Sequence, residues 1–229
     1  VSFDELHRGH IVYKRNFFIE SRNVLVRIQL LQGKALKNNA EIELLAGTVL
    51  TRGKCNYLDQ GDRGRQEFMT VIKLKEPWYF FTGERFILTN PGGYRILGGG
   101  MVLFPGYDNT WKKTVREKSH MLATYSNPEL LRFNVSARNW MERKDVFSMF
   151  RENDKVLEKY LAELQEAGSV KIFNDHVIDS EYYHNAVERI TETIEKNSGI
   201  NINEISDIAG VDLPICKIAL PHIMESAKI

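Results

Sequence analysis

Residues 83–105 read Gly83-Glu84-Arg85-Phe86-Ile87-Leu88-Thr89-Asn90-Pro91-Gly92-Gly93-Tyr94-Arg95-Ile96-Leu97-Gly98-Gly99-Gly100-Met101-Val102-Leu103-Phe104-Pro105. Phe86, Ile87 and Leu88 form an apolar run that predicts a buried strand. Asn90-Pro91-Gly92-Gly93 is dense turn chemistry. Tyr94 to Leu97 predicts a second strand. Gly98, Gly99 and Gly100 let the backbone bend or pass close to another chain, since glycine has no Cβ to clash. Met101 to Phe104 predicts a third strand, which Pro105 stops. A phosphate loop is excluded here. A dinucleotide fingerprint needs a helix opening straight after its glycines, and an apolar strand follows instead. The stretch reads as a corner of a β-barrel.

Working back towards the N-terminus, the β pattern continues. Phe17 to Glu20 is a candidate strand. Val24, Val26, Ile28 and Leu30 alternate with Leu25, Arg27 and Gln29 at a period of two. Lys37-Asn38-Asn39 is a turn. Ile42, Leu44 and Leu45 give another strand, and Thr48 to Leu58 the next. Asp59 to Gly64 is a polar hairpin loop. Phe68, Thr70, Ile72 and Leu74 alternate again until Pro77. About six strands at short, regular spacing predict a small closed barrel.

Beyond Gly106 the period changes to that of helices. Lys113 to Tyr125 predicts a helix. Ser126-Asn127-Pro128-Glu129 carries a capping residue, an early proline and an acid in the first turn. Val146 to Phe150 marks a short helix. Asn153-Asp154 caps a longer one with Val156, Leu157, Tyr160, Leu161 and Leu164 at three-and-four spacing, ended by Gly168. Asn174-Asp175 joins two short strands. Helices followed by a hairpin make the winged-helix pattern. It starts again with a helix around Tyr183 to Ile194, a short helix ended by Gly210, and a third helix capped by Asp212, in which Pro221 should cause a kink or a stop.

The 229 residues carry a net charge of +1, but unevenly. Residues 1–106 are net +5 and residues 107–229 net −4. Only the first half is therefore suited to a polyanion. Cys55 and Cys216 lie far apart, and no Cys/His spacing fits a zinc site. No run approaches the ~20 apolar residues of a membrane span. No signal peptide opens the chain, so a cytoplasmic location is expected. There is no Gly-x-x-x-x-Gly-Lys-[Ser/Thr]. Gly33-Lys34 and Gly53-Lys54 lack the upstream glycine and the following hydroxyl. His7, His10, His120, His176, His184 and His222 are scattered, and Cys55 reads as packed rather than nucleophilic. No catalytic residue, metal or cofactor is expected in this chain.

The Gly83–Pro105 stretch resembles the close of the third domain of translational elongation factors of the Tu type. Its Gly-Gly-Gly-Met-Val-Leu-Phe-Pro ending is closer still to the selenocysteine-specific elongation factors. Arg8-Gly9 before Ile11-Val12 resembles the end of the preceding barrel in the same factors, and the barrel-then-winged-helix order is theirs too. The resemblance implies a multidomain β then α+β fold: the tail of a preceding barrel at 1–10, a domain-III-like β-barrel at 11–106, one winged helix at 107–182 and part of a second at 183–229. It implies a fragment of a GTPase, consistent with Val at position 1, whose GTP- and Mg-binding domain is not in this sequence. Such factors deliver selenocysteinyl-tRNA to the ribosome at UGA and read an mRNA hairpin with their last winged helix. This piece would act as a monomer. It would face tRNA with Arg52, Lys54, Arg63, Arg65, Gly93, Tyr94 and Arg95, because duplex RNA is met through phosphates and 2′-hydroxyls. Thr89-Asn90 departs from the Arg-Glu usual in the Tu pattern, which leaves the strength of one expected phosphate contact open. The first winged helix reads as a spacer, since Lys155 and Lys159 lie among Asp154, Glu158, Glu163 and Glu166. The competing reading is a DNA-binding regulator with a barrel as sensor or dimerisation module. It requires a basic recognition helix.

Overall fold

A computed structural model of the chain describes residues 20–58, 64–197 and 199–227. The Arg8-Gly9 boundary, His7, His10, most of the expected 17–20 strand and Arg63 lie outside the described residues.

Six strands close into a barrel: β1 (Glu20–Leu30), β2 (Glu41–Ala46), β3 (Val49–Tyr57), β4 (Glu67–Tyr79), β5 (Arg85–Thr89) and β6 (Ile96–Pro105). The order around the barrel is β1-β4-β3-β2-β5-β6, with β6 returning to pair with β1. Every pairing is antiparallel. The connections after β1, β3 and β5 therefore share one rim. Alternation decides the interior. Val24, Val26, Ile28, Ile42, Leu44, Cys55, Ile72, Phe86, Leu88 and Val102 point in and form one core.

Three local expectations change. The strands expected at 94–97 and 101–104 are one strand, β6, which begins only at Ile96 and runs on through its glycines. Close approach is what the glycines supply. A Cβ at Gly98 would run into the carbonyl of Gln29, and one at Gly100 into the carbonyl of Arg27 and the ring of Phe86. The run at 86–88 is buried only at Phe86 and Leu88. Ile87 is 48% exposed and lies across the ladder from Leu45 on the outer surface. Pro77 does not end β4, which reaches Tyr79. The β1–β4 register shifts between Ser21/Trp78 and Asn23/Lys73, so Pro77 falls where no ladder bond needs its missing N–H.

The helical part holds α1 (Lys112–Lys118), α2 (Asn127–Arg138), β7 (Trp140–Glu142), α3 (Arg143–Ser148), α4 (Asp154–Glu166), β8 (Val170–Phe173) and β9 (His176–Asp179), with a sheet ordered β7-β9-β8. This is the winged-helix order. The helix expected over 113–125 stops at Lys118. The Ser119 hydroxyl donates to the carbonyl of Arg116 and a His120 ring nitrogen meets that of Glu117, a local competition that ends helices. Ser126 is the N-cap of α2 but makes no side-chain cap bond; Glu129 Oε2 instead accepts from the Thr124 amide at 2.9 Å. The expected turns are present, with Asn174 at φ 48° and Gly168 at φ 69°. β7 was not foreseen, three residues being too few to show a period.

α5 (Ser180–Lys196), α6 (Ile202–Ala209) and α7 (Leu213–Ala227) form the second unit. α5 begins at Ser180, with Asp179 accepting from the Tyr182 amide, so a division at 182/183 falls inside its first turn. Asn201 and Glu204 form a reciprocal capping box on α6, and Gly210 ends it in the left-handed conformation. Pro221 does not stop α7.

The barrel and the first winged unit share a core. Leu25, Val71 and Leu103 alternate out of the barrel and are buried with Leu130, Leu131, Phe133 and Leu157 of the helices. Asn134 Nδ2 donates to the Leu103 carbonyl at 2.8 Å and to that of Leu130 at 2.7 Å. The Arg138 guanidinium lies 4.3 Å from the Phe104 ring centroid and donates to the Pro105 carbonyl at 3.2 Å. The Thr82 amide donates to the Met149 carbonyl at 2.7 Å.

Candidate nucleic-acid interface

The β5–β6 turn is built for exposed backbone. Asn90 Oδ1 accepts from the Arg95 amide at 2.7 Å, and the Asn90 amide donates to the Arg95 carbonyl. Gly92 and Gly93 both take positive φ, 90° and 69°. The positive φ at Gly92 demands glycine there, and a Cβ would also push aside the Tyr94 ring, 2.6 Å away. Tyr94 is 89% exposed. Arg95 is exposed as well.

Beneath this turn sits a buried acid. Glu43 on β2 is only 1% exposed, and its Oε1 accepts from Arg52 Nε on β3 at 2.8 Å. Oε2 lies under the turn, where a Cβ on Gly93 would be 3.8 Å away, and completes no hydrogen bond. The Gly92 amide, facing the carboxylate without closing a full hydrogen bond, then Arg52 and the Gly93 amide, keep the Glu43 carboxyl below its ordinary value of 4.5, against the opposing effect of burial. Glu43 thereby fixes Arg52, whose side chain stays 60% exposed, beside the turn.

Arg52 and Lys54 line a groove of about 540 Å³ together with Arg22, Lys73, Lys75 and Pro91. Lys54 and Lys73 are direct cross-strand partners on β3 and β4. Like charges directly opposite one another destabilise a sheet. Glu41, opposite Lys54 on its other side, is the acid of this groove. A cationic groove next to a turn of exposed amides suits a run of phosphates.

The structure brings Arg52 and Lys54 together, and the Glu43 side chain ties Arg52 to the turn of Gly93, Tyr94 and Arg95. Arg65 lines a different cavity, with Arg27 and Arg116, where the barrel meets α1. Arg22, Lys73 and Lys75 were missed. The signal was present in β4, where Lys73 and Lys75 take the outward positions in alternation with Ile72 and Leu74. Arg22 carried no such signal, because the register break beside it hides its face. On α4, Lys159 pairs with Glu163 at 3.7 Å and Glu158 pairs with Arg143 of α3.

Among the described residues, no group of three or more His, Cys, Asp or Glu could hold a metal ion, and no helix is long and apolar enough to cross a membrane. Comparison with protein-family models and with curated proteins finds no match. Among solved structures the chain is similar to the crystal structure of a bacterial selenocysteine-specific elongation factor, EF-Sec, with a TM-score of 0.70 at 18% identity. The match covers 100% of this chain and 36% of that one, so the chain spans about a third of its neighbour's length. The likeness is one of fold: a closed six-stranded barrel followed by winged-helix units.

Proposed function

We propose that this chain is part of a GTP-dependent translation elongation factor that delivers selenocysteinyl-tRNA to the ribosome at UGA codons. In this reading the barrel faces the tRNA through Arg52, Lys54 and the Gly93-Tyr94-Arg95 turn, with Arg22, Lys73 and Lys75 extending the same face. The winged units space the barrel from an mRNA-hairpin reader elsewhere in the factor. GTP and Mg would be held by a separate domain, and the protein would work in the cytoplasm as a monomer. One observation carries the proposal: a groove with Lys54 set directly against Lys73, beside a glycine turn, on a barrel whose fold resembles EF-Sec. Opposed lysines are tolerated where a polyanion neutralises them.

The regulator reading is less well supported. α4 carries Lys155 and Lys159 against Asp154, Glu158, Glu163 and Glu166, a poor surface for a DNA backbone. Titrating the chain with selenocysteine tRNA and with a duplex DNA, at several salt concentrations, separates the two. The proposal expects tighter tRNA binding, weakened by Arg52→Gln, Lys54→Gln or Arg95→Gln, with the salt slope falling by about one per lost phosphate contact. Equal or tighter DNA binding, lost on changing Lys155 and Lys159, would overturn it.

A further inference from the structure

The helical part does not close flush on the barrel. Between them lies an open cavity of about 320 Å³ whose polar wall is Arg27, Arg65, Glu67, Arg116, Ser119 and Tyr125. The arginines come from three places in the chain: β1, the β3–β4 connection and α1. Glu67 is the sole acid in this lining, and Arg27 Nε donates to it at 2.6 Å. Arg65 and Arg116 also make contacts within the chain. The lining still holds three guanidinium groups against one carboxylate.

Tyr125 completes the wall. Its ring lies under Arg27, 4.1 Å from guanidinium carbon to ring centroid. To reach it, the Tyr125 backbone takes φ 57°, a left-handed conformation that a residue with a large side chain adopts only when its surroundings hold it there. The cavity is thus shaped by a strained residue, by a stacked cation and by two further cations from separate elements.

We infer that this cavity is a phosphate-binding site, separate from the barrel groove, which takes a phosphate group either free or as part of an RNA backbone. Guanidinium forks match phosphate oxygens two at a time, and the Tyr125 hydroxyl adds a donor beside them. Three cations gathered in one cavity repel one another, and a bound phosphate offsets that repulsion. The site also joins barrel to helix, so occupancy tightens the junction. The inference rests on the cavity alone. It stands or falls separately from tRNA binding in the groove.

The test uses the whole chain. Melting temperature and amide hydrogen exchange are measured in sodium phosphate and in sodium chloride of equal ionic strength, and a short RNA duplex is titrated in parallel. Phosphate, and not chloride, should raise the melting temperature and slow exchange in 112–125. Arg116→Gln should weaken that effect about tenfold, Arg116→Lys should retain part of it, and Lys113→Gln, on the same helix outside the cavity, should leave it intact. Protection at millimolar phosphate assigns a free phosphate. Protection by the duplex at far lower concentration, lost in Arg116→Gln but kept in Arg52→Gln, assigns an RNA phosphodiester. The inference is overturned if phosphate acts no differently from chloride and Arg116→Gln leaves duplex binding unchanged. It is equally overturned if Lys113→Gln costs as much as Arg116→Gln, because only overall charge would then be read.

Discussion

Glu43 is buried beneath the Gly92-Gly93 turn and holds Arg52 Nε at 2.8 Å, so an acid on one strand fixes the direction of a surface cation on the next. Folding keeps the Glu43 carboxyl below its ordinary 4.5. The folded chain then binds fewer protons there than the unfolded chain, and the resulting stability is present above the ordinary value. It is lost as pH falls through the depressed one. Melting temperatures of the parent and of Glu43→Gln, taken between neutral pH and pH 3, should differ near neutrality and converge in acid. A gap that stays constant would show that the charge is not what matters.

Lys54 and Lys73 oppose each other across the β3–β4 ladder. Lys73→Gln should therefore stabilise the free chain at low salt, by about 0.2–1 kcal/mol, while weakening RNA binding. The stabilisation should fade as salt screens the pair. Denaturant titrations at two salt concentrations, alongside an RNA titration, read both effects.

Gly98 and Gly100 pass against β1 where no Cβ fits, whereas a Cβ at Gly99 would meet only the Phe86 carbonyl at 3.1 Å. Gly98→Ala and Gly100→Ala should cost more than Gly99→Ala, by about 1–3 kcal/mol. Equal costs at all three positions in chemical denaturation would argue against tight β1–β6 contact.

Asn134 bridges α2 and β6 from a buried position. Asn134→Ala leaves the Leu103 carbonyl without that donor and should cost about 1–3 kcal/mol. The loss should lower one shared melting transition of barrel and first winged unit. Two separate transitions in calorimetry of the parent chain would contradict the common core.

Burial pushes the Cys55 thiol up to about 11, and burial raises Cys216 as well. Thiolate is the reactive form. A thiol reagent at neutral pH should label neither cysteine in the folded chain and both in denaturant. Rapid labelling of Cys55 in the folded chain would mean that β3 opens locally.

The barrel was legible because period-two patterns such as Val24, Val26, Ile28 and Leu30 report one-sided burial directly. The winged units were legible from their caps: Asn153, Gly168, the Asn174 turn and Gly210. What sequence hid was long-range. Leu25, Val71 and Leu103 look like breaks in alternation, and only the docked helices explain their burial. Glu43 reads as an ordinary surface acid on an amphipathic strand; its burial depends on a turn some fifty residues away. Of the candidate contacts, Arg52 and Lys54 emerged from their own strand, but Lys73 and Arg22 join them only through pairing registers that no local pattern encodes. Arg65 shares their charge but not their place: the fold carries it to the cavity beside α1.

Around Asn134 and Arg138 the barrel and the first winged unit interlock through side chains of both parts. The second unit is tied on in turn, with Trp140 Nε1 donating to Asp212 Oδ2 at 2.7 Å, at the start of α7. The chain from the barrel surface to α7 is thus continuous through packed side chains, and a tilt imposed at the barrel surface has a contact route to α7, where the same angle sweeps a longer arc.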